Sequence, residues 1–501
     1  MHDKTSTEST NWILKGFKIA LVVAQAATST MLIISLINTG VVGGLILTLI
    51  TIALAALLTL SIVELLVHKR ASMVAQIVCA VISVACIAIS CFAMSFTGAF
   101  NGFIAKITER RPEMKAYSVL VEEASEYNEL KDLTQKNIGF LKLDKKAGNT
   151  EQYLKQQISF EADSYDGIDT LLDVLNNQLS DAIVLESDRI EALKETTQNP
   201  LRHTRAIYSF EIELDSEDVA ITKKAITEEP FIAYISGSDS REGIKATARS
   251  DVNILAVVNP KEAKMLLVSI PRDTYVQLHD TAGIKDKLTH AGVYGIEMSK
   301  TTIEDFLGID IDYTIKVSFE TVVKVVDELD GIDIESDTEL SLNTSNKKVC
   351  HFKVGAQHVD GDCALRFARE RKSYETGDRH RGENQQQVIT GIINRLSGSR
   401  NYLLKLPTIL DIAADSFETS LSREEITDFI RLQLQEQPKW QVKSISISGT
   451  GTMLPTYSMG SNLPLYVMIP DEATVTEAKT QIDDYLDKVL PEPKNNHQNN
   501  E

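Results

Sequence analysis

Seven arginines fall between Arg366 and Arg400 in a chain whose overall balance is acidic. Three of them, Arg369, Arg371 and Arg381, bracket a helix-loop-helix pattern in ALRFARERKSYETGDRHRGENQQQVI, residues 364–389. Arg369 and Arg371 are two positions apart, about 200° around a regular helix, so they meet one ligand only where that helix ends. Lys372-Ser373-Tyr374 and Gly377-Asp378 supply such an end. Upstream, Arg272 follows an apolar strand pattern at Ser269-Ile270-Pro271, Arg249-Ser250-Asp251 precedes another, and Asp239 with Arg241 follows a third. Strand ends in α/β sheets are where ligand groups commonly gather.

Guanidinium groups stay charged and grip phosphate oxygens in pairs, so this set suits a doubly charged anion such as a pyrophosphate. Asp239 and Asp251 suit instead Mg²⁺, which bridges phosphate oxygens through one or two carboxylates. Arginines, carboxylates and metal together spell phosphoryl transfer, in which charge neutralisation does most of the catalytic work. Any single Arg/Asp pair this close in sequence is more often a solvated ion pair of small energy. The reading rests on four segments that each bring arginine to an element's end. Lys287, in KLTHAG at 287–292, is a further anion contact, and His290 beside it is either a general base or a packed histidine.

The elements that must position these residues read as α/β. Phe231–Ile235, Asn253–Val258, Met265–Ile270 and Tyr313–Val317 predict strands. Helices are expected around Lys300–Leu307, Phe319–Leu329, Cys363–Lys372 and Gln385–Leu396, with a Gly/Asp loop between the last two. The apolar stripes of Phe319–Leu329 and Gln385–Leu396 fit ordinary core or the wall of a lipid tunnel, and both readings stay open. Between residues 106 and 220, strands at Tyr117–Val121, Ile138–Leu143 and Ala182–Leu185 alternate with helices at Thr150–Gln157, Ile168–Leu179 and Ser187–Glu195. That alternation predicts a small α/β unit. It holds no Gly-rich phosphate loop and no Ser/His/Asp pattern.

The 501 residues suggest two to four domains, and 43% hydrophobic with 24% charged residues excludes a wholly disordered chain. The formal net charge of −19 argues against bulk nucleic-acid binding. Residues 1–105 hold five basic and three acidic residues, which leaves 46 basic and 67 acidic, a net of −21, for residues 106–501. No charge occurs from Ile19 to Val63 or from Ala71 to Ala105, enough for three membrane helices near 17–37, 42–67 and 72–98. Three runs do not fit a cleaved signal peptide. Lys15, Lys18 and His68-Lys69-Arg70 place the N-terminus and the second connection in the cytoplasm, and everything beyond about residue 105 outside. In that oxidising setting Cys350 and Cys363 are either a disulfide or two buried thiols. The tail from Pro491 to Glu501 is polar and expected to be disordered.

At these residues the chain resembles the LytR-CpsA-Psr family of Gram-positive cell-envelope enzymes. The motifs that carry the resemblance are GSDSR at 237–241, ARSD at 248–251, VSIPRDT at 268–274, KLTHAG at 287–292, ALRFARER at 364–371 and GDRHRGENQQ at 377–386. Three spans before an accessory outer region resemble in particular the family's capsule-locus CpsA branch. The resemblance implies a cytoplasmic N-terminus and three transmembrane helices over 1–104, and a small extracytoplasmic α/β accessory domain over 105–222. It further implies an α/β/α catalytic domain with a central sheet flanked by helices over 223–488, and a disordered tail over 489–501. The implied activity is a phosphotransferase that attaches a polyprenyl-pyrophosphate-linked polymer, here capsular polysaccharide, to peptidoglycan and releases polyprenyl phosphate.

By that similarity Arg249, Arg272, Arg369, Arg371, Arg381 and Gln385 hold the pyrophosphate, with Lys287 nearby. Arg249, Arg272, Arg369 and Arg371 also carry the catalysis. Asp239 and Asp251 hold Mg²⁺ or Mn²⁺. Asn384 stands where many relatives carry another arginine, and His290 departs from a commoner small or apolar residue. The implied partners are the lipid-linked polysaccharide, peptidoglycan, the membrane and other capsule-assembly proteins, and not nucleic acid. Two competing readings are a regulator of capsule expression and a polyprenyl-pyrophosphate hydrolase or scaffold in capsule assembly. A DNA reader needs a basic cytoplasmic surface, and the cytoplasmic parts expected here are one short terminus and one small loop.

Overall fold

The computed structural model describes residues 3–68, 72–108, 113–141, 147–165, 167–195, 199–214, 224–238, 249–281, 283–344, 347–374, 377–398, 409 and 417–486. Asp239, Arg241 and the tail 489–501 lie outside the described residues. The chain divides into two compact units. The first comprises Met1–Thr108, Leu404–Asp411 and Leu421–Pro438, and the second the remainder.

In the first unit, helices α1 (Asp3–Thr39), α2 (Gly44–Ile62) and α3 (Met73–Thr108) follow the charge-free runs. A single π-helical turn, Val63–Val67, prolongs α2. Three stretches, Trp12–Thr39, Gly44–Val67 and Met73–Thr108, are long and apolar enough to cross a membrane. The third runs ten residues beyond the expected end at residue 98. Gly40, at φ +66°, takes the left-handed turn between α1 and α2 that a residue with a Cβ resists. The same unit includes helix Arg423–Glu436, α12 in chain order. Its Ser422 and Glu425 form a capping box. Arg423 binds the Asn101 side chain near the end of α3, and Arg431 Nε donates to the Gly40 carbonyl at 3.0 Å.

The second unit holds two sheets. The smaller is built from β1 (Glu113–Glu122), β2 (Asn137–Leu141), β3 (Glu161–Tyr165), β4 (Ala182–Glu186) and β5 (Thr204–Leu214), in the order β3-β2-β4-β1-β5. Helices α4 (Ala147–Lys155), α5 (Ile168–Asn176) and α6 (Ser187–Glu195) connect them. Strands β3 and β5 escape the sequence reading. In β3 the run Glu-Ala-Asp-Ser-Tyr is half polar at a sheet edge, and β5 alternates Arg, Ser and Glu with its apolar residues.

The larger sheet runs β16-β11-β6-β7-β8-β17. Its strands are β6 (Phe231–Ser238), β7 (Val252–Asn259), β8 (Lys264–Ser269), β11 (Tyr313–Ser318), β16 (Phe417–Thr419) and β17 (Gln441–Ser446). Strands β6 to β8 pair antiparallel, while β11 and β17 join them in parallel. Every residue of β7 is buried, as a strand covered on both faces requires.

Helices α7 (Leu288–Ala291) and α8 (Ile296–Leu307) and the C-terminal helix α13 (Glu472–Tyr485) pack Ile303, Leu307, Ala478 and Ile482 on Leu255, Val257 and Val268. The other layer has α9 (Phe319–Glu328), α10 (Gly361–Ala368) and α11 (Asp378–Gly398). Small ribbons border the sheet: β9 (Tyr275–Val276) with β10 (Asp286–Lys287), β12 (Ile332–Ser336) with β15 (Gly355–Val359), β13 (Leu340–Asn343) with β14 (Val349–Phe352), and β18 (Gly449–Thr456) with β19 (Gly460–Pro470). Cys350 on β14 and Cys363 on α10 form a disulfide inside the core shared by β12 to β15 and α9 to α11. The architecture is therefore α/β, with three long apolar N-terminal helices and mixed sheets.

Two of the helix boundaries that differ from the sequence expectation bear on the charged residues. Helix α10 stops at Ala368, not Lys372. Glu370 turns inward instead, and its carboxylate accepts from Ser373 N at 3.0 Å and pairs with Arg366 at 2.6 Å. A side chain that satisfies the backbone locally competes with the next helical turn. Helix α11 starts at Asp378, seven residues before Gln385, so Arg381 sits on a helix and not in a loop. Its first three turns bury Arg381, Asn384, Gln385 and Gln386, which hides the 3.6-residue apolar repeat that marks a helix in sequence.

Candidate active site

The pattern of short apolar strands ending in charge brings four segments together beyond the ends of β6 and β8. Asp251 N donates to Gly237 O at 2.8 Å, which ties the start of β7 to the end of β6. Thr289 N donates to Arg272 O at 2.9 Å and Ser250 N to Thr289 O at 3.2 Å. The Ser250, Arg272 and Thr289 segments are thus stitched edge to edge by backbone. Helix α11 is drawn in closely. A Cβ on Gly382 would stand 2.4 Å from Ser269 Oγ, so any side chain here would force that hydroxyl to turn away. One turn on, Gln386 Nε2 donates to Leu267 O at 2.9 Å and Ile445 O at 2.7 Å, pinning the helix to β8 and β17.

At this junction Arg272 Nη1 donates to Asp251 Oδ1 at 2.7 Å. Arg272 Nε lies 3.7 Å from Asp378 Oδ1 and 3.9 Å from Asp273 Oδ2. Arg381 Nη2 donates to Asp251 O at 3.1 Å and lies 2.9 Å from Asp378 Oδ1, an ion pair without a directed hydrogen bond. Lys287 Nζ donates to Asp273 Oδ1 at 2.8 Å. Among the described residues the buried atoms Arg272 Nε, Arg381 Nε, Gln385 Nε2 and both Asp378 oxygens make no hydrogen bond. Buried polar atoms normally find partners, and a cluster of such donors and acceptors at strand ends suits the binding of a polar ligand.

Electrostatics give the same picture. Burial works against the charge on Arg272, yet Asp251, Asp273 and Asp378 outweigh it and hold the guanidinium above its ordinary value. Burial lowers Arg381, and the nearby Arg272 adds to that against the pull of Asp378. Burial raises the Asp378 carboxyl, and Asp273 and Asp251 raise it further against the two arginines. A phosphate here would offer oxygens to the orphaned donors, and a divalent cation would relieve the crowded carboxylates. Among the described residues no group of three or more His, Cys, Asp or Glu side chains forms a metal cage. Mg²⁺ seldom needs one, since it keeps several waters and takes one or two carboxylates together with phosphate. Asp251 fits that demand, and Asp239 lies outside the described residues.

The remaining predicted residues are placed as follows. Gln385 is buried on α11, one turn after Arg381. Arg249 lines a small cleft with Arg189, His290, Tyr294 and Ser458. Arg369 and Arg371 lie on the exposed stretch after α10, with the Arg369 guanidinium 5.3 Å above the Phe319 ring. Asn384 Nδ2 donates to Phe367 O at 3.1 Å and so braces the end of α10. His290 is buried, with Nδ1 2.6 Å from Asp286 Oδ1. Two residues that sequence reasoning gave no role, Asp273 and Asp378, stand at the centre. Each sits beside an arginine assigned to the anion, Asp273 next to Arg272 and Asp378 three residues before Arg381, which was the available signal.

Fold and site together define a mixed-sheet α/β domain with a buried, unsaturated cluster of arginines and carboxylates at its strand ends. The profile of the LytR_cpsA_psr family matches residues 203–480, and the chain belongs to that family. It is 33% identical over 263 residues to the polyisoprenyl-teichoic acid–peptidoglycan teichoic acid transferase TagU of Halalkalibacterium halodurans, covering 52% of this chain and 79% of that protein. To the transferase TagV of Bacillus subtilis, named in the same terms, it is 32% identical over 278 residues, 55% of this chain and 68% of the relative. The crystal structure of B. subtilis TagV superposes with a TM-score of 0.43 at 29% identity, covering 52% of this chain and 99% of that one.

Proposed function

We propose that the protein is a membrane-anchored phosphotransferase that moves a glycopolymer from a polyprenyl-pyrophosphate carrier onto peptidoglycan. The observation that carries this reading is the cluster of buried donors on Arg272, Arg381 and Gln385 that make no hydrogen bond among the described residues, inside a domain whose relatives are named polyisoprenyl-teichoic acid–peptidoglycan teichoic acid transferases. Arg272, Arg381, Lys287 and Gln385 bind the pyrophosphate, with Arg249, Arg369 and Arg371 brought to it from neighbouring loops. A sugar hydroxyl of peptidoglycan attacks the phosphorus next to the glycan. The new P–O bond leaves a phosphodiester, and the bond from the attacked phosphorus to the bridging oxygen breaks, so that this oxygen departs on polyprenyl phosphate. Asp378, raised by burial and like-charged neighbours, is the group to take the hydroxyl proton. Mg²⁺ or Mn²⁺ at Asp251 and Asp239 supplies charge neutralisation on the phosphoryl oxygens.

The half-buried stripes of α9 and α11, with Val322, Val325, Ile389 and Ile392, suit the lipid tail. Orientation follows from the basic residues that flank the spans. Arg423 and Arg431 reach the end of α3 and the α1–α2 turn, which puts these two at one end of the bundle whichever way it is inserted. The polymer is proposed to be capsular, since three spans and an accessory region precede the family domain. The test is the full chain in detergent micelles with a lipid-pyrophosphate oligosaccharide, divalent metal and peptidoglycan. A covalent sugar–phosphate adduct on the wall and equimolar polyprenyl phosphate are expected. Polyprenyl phosphate released with free glycan phosphate and no adduct would instead make the protein a hydrolase. A faster reaction with lipid-linked teichoic acid than with capsular oligosaccharide would overturn the choice of polymer.

A further inference from the structure

The smaller sheet holds a buried ionic cluster that reaches into the larger domain. Lys115 on β1, Glu186 at the end of β4 and Arg189 in the first turn of α6 are each at least 94% buried. Lys115 Nζ donates to Glu186 Oε1 at 2.7 Å, and Arg189 Nε to Glu186 Oε2 at 3.1 Å. The other arm of Arg189 crosses to the larger domain, where Nη2 donates to Tyr294 OH at 3.0 Å and Nη1 to the Ser458 carbonyl. Ser458 N donates to Asp286 Oδ2 at 2.8 Å, and its hydroxyl binds the same oxygen. The second Asp286 oxygen accepts from Lys287 N at 2.7 Å and meets His290 Nδ1 at 2.6 Å. Lys287 then places its ammonium on Asp273, beside Arg272.

This is an unbroken chain of contacts from the accessory sheet to the pyrophosphate lysine, buried as far as Asp286 and partly exposed only at Tyr294 and Lys287. Burying ionised groups is costly unless they are paired, and here Glu186, Arg189 and Asp286 are each held by at least two partners. We propose that Arg189 is a positioning residue of the transferase site, holding the Ser458–Asp286 pair and through it the Lys287 side chain in place for the anion. The accessory region thereby acts as a fixed brace for the catalytic loop. The inference rests on the assignment of Lys287 to the pyrophosphate site.

A structural clamp and a positioning residue differ in how they couple to Lys287, and a double-mutant cycle separates them. The full chain in detergent is titrated with inorganic pyrophosphate and Mg²⁺, in the native form and as Arg189→Lys, Lys287→Met and the double variant. Arg189→Lys keeps the charge on Glu186 paired and removes the reach to Ser458 and Tyr294. We expect it to weaken binding about five-fold with Lys287 present and by less than about 1.5-fold in the Lys287→Met background. Equal losses in both backgrounds, or no loss in either, overturn the proposal and leave the pyrophosphate site standing. No binding by the native chain overturns the site assignment itself and the brace with it. If thermal unfolding shows Arg189→Lys to be misfolded, Tyr294→Phe removes a single acceptor of the same guanidinium. It must then show about a two-fold loss that vanishes with Lys287→Met, and its absence refutes the brace.

Discussion

Two buried ionic clusters lie in the same unit, and they are built to opposite rules. Around Glu186, both carboxylate oxygens are met by Lys115 and Arg189, and burial is outweighed so far that the carboxyl falls to about 2. Around Asp378, neither carboxylate oxygen makes a hydrogen bond among the described residues, and burial pushes the carboxyl up. The first cluster is saturated and the second is not. Sequence composition would describe both as Arg/Asp/Glu pairs, yet one is a strut and the other is a receptacle. Saturation, more than charge, separates a structural ion pair from a binding site.

The sharpest way to break that contrast is to remove the central carboxylate of the strut. Glu186→Gln leaves Lys115 and Arg189 buried without their counter-charge and should cost about 3–5 kcal/mol, read from thermal or denaturant unfolding. Unchanged stability would mean that the cluster is no strut. Next in size, Arg272→Ala should lower polymer transfer by about 10²–10³-fold, as loss of a preorganised charge on the reacting group does, and that loss should exceed what the fraction of variant unfolded at the assay temperature explains. Native levels of wall attachment in that variant would refute the site.

Ligand should then saturate the open cluster. Pyrophosphate with Mg²⁺ at about 100 times its Kd should stabilise the chain by about 2.7 kcal/mol, and chelation of the metal should reduce that gain. Acid titration sharpens the contrast further because the two carboxyls move in opposite directions. Glu186, depressed in the folded state, contributes stability that is present above the ordinary value of 4.5 and fades as pH falls towards 2. Asp378, raised in the folded state, is more easily accommodated when protonated, so stability from this group falls as pH rises above the ordinary value of 3.8. Smallest of all, Asp378→Asn should leave stability within about 1 kcal/mol of native, or raise it, while transfer declines and its pH profile flattens. A large loss of stability on that change would place Asp378 with the strut.

Much of this was legible in sequence, and the limits have physical reasons. Strands β6, β7, β8 and β11 are short buried apolar runs, and they stand where periodicity puts them. The helix over Gln385–Leu396 is legible, while the first two turns of α11 are hidden because a helix that lines a charged site buries Arg381 where an ordinary helix buries leucine. Arg272 was visible as an arginine at a strand end. That Asp251, Asp273 and Asp378 surround it required three distant segments to be folded together, and no spacing rule gives that. The link from Arg189 to Ser458 joins residues 269 positions apart, beyond any local pattern. The disulfide reading was left open in sequence and is closed by the position of Cys350 opposite Cys363 across one core.

The path of the chain between β16 and β17 has a practical outcome for anyone purifying the protein. These two strands form opposite edges of the larger sheet, and the segment that joins them includes α12, which belongs to the first unit with the apolar helices. A fragment begun after residue 108 would strip α12 of the contacts that Arg423 and Arg431 make with Asn101 and Gly40 and uncover Thr427, which is buried within the first unit. Aggregation, or a sheet whose two edge strands are tethered by a loose leash, is the expected result. A fragment that replaces residues 421–438 with a short polar linker should behave better than either a simple truncation or one that keeps α12 alone.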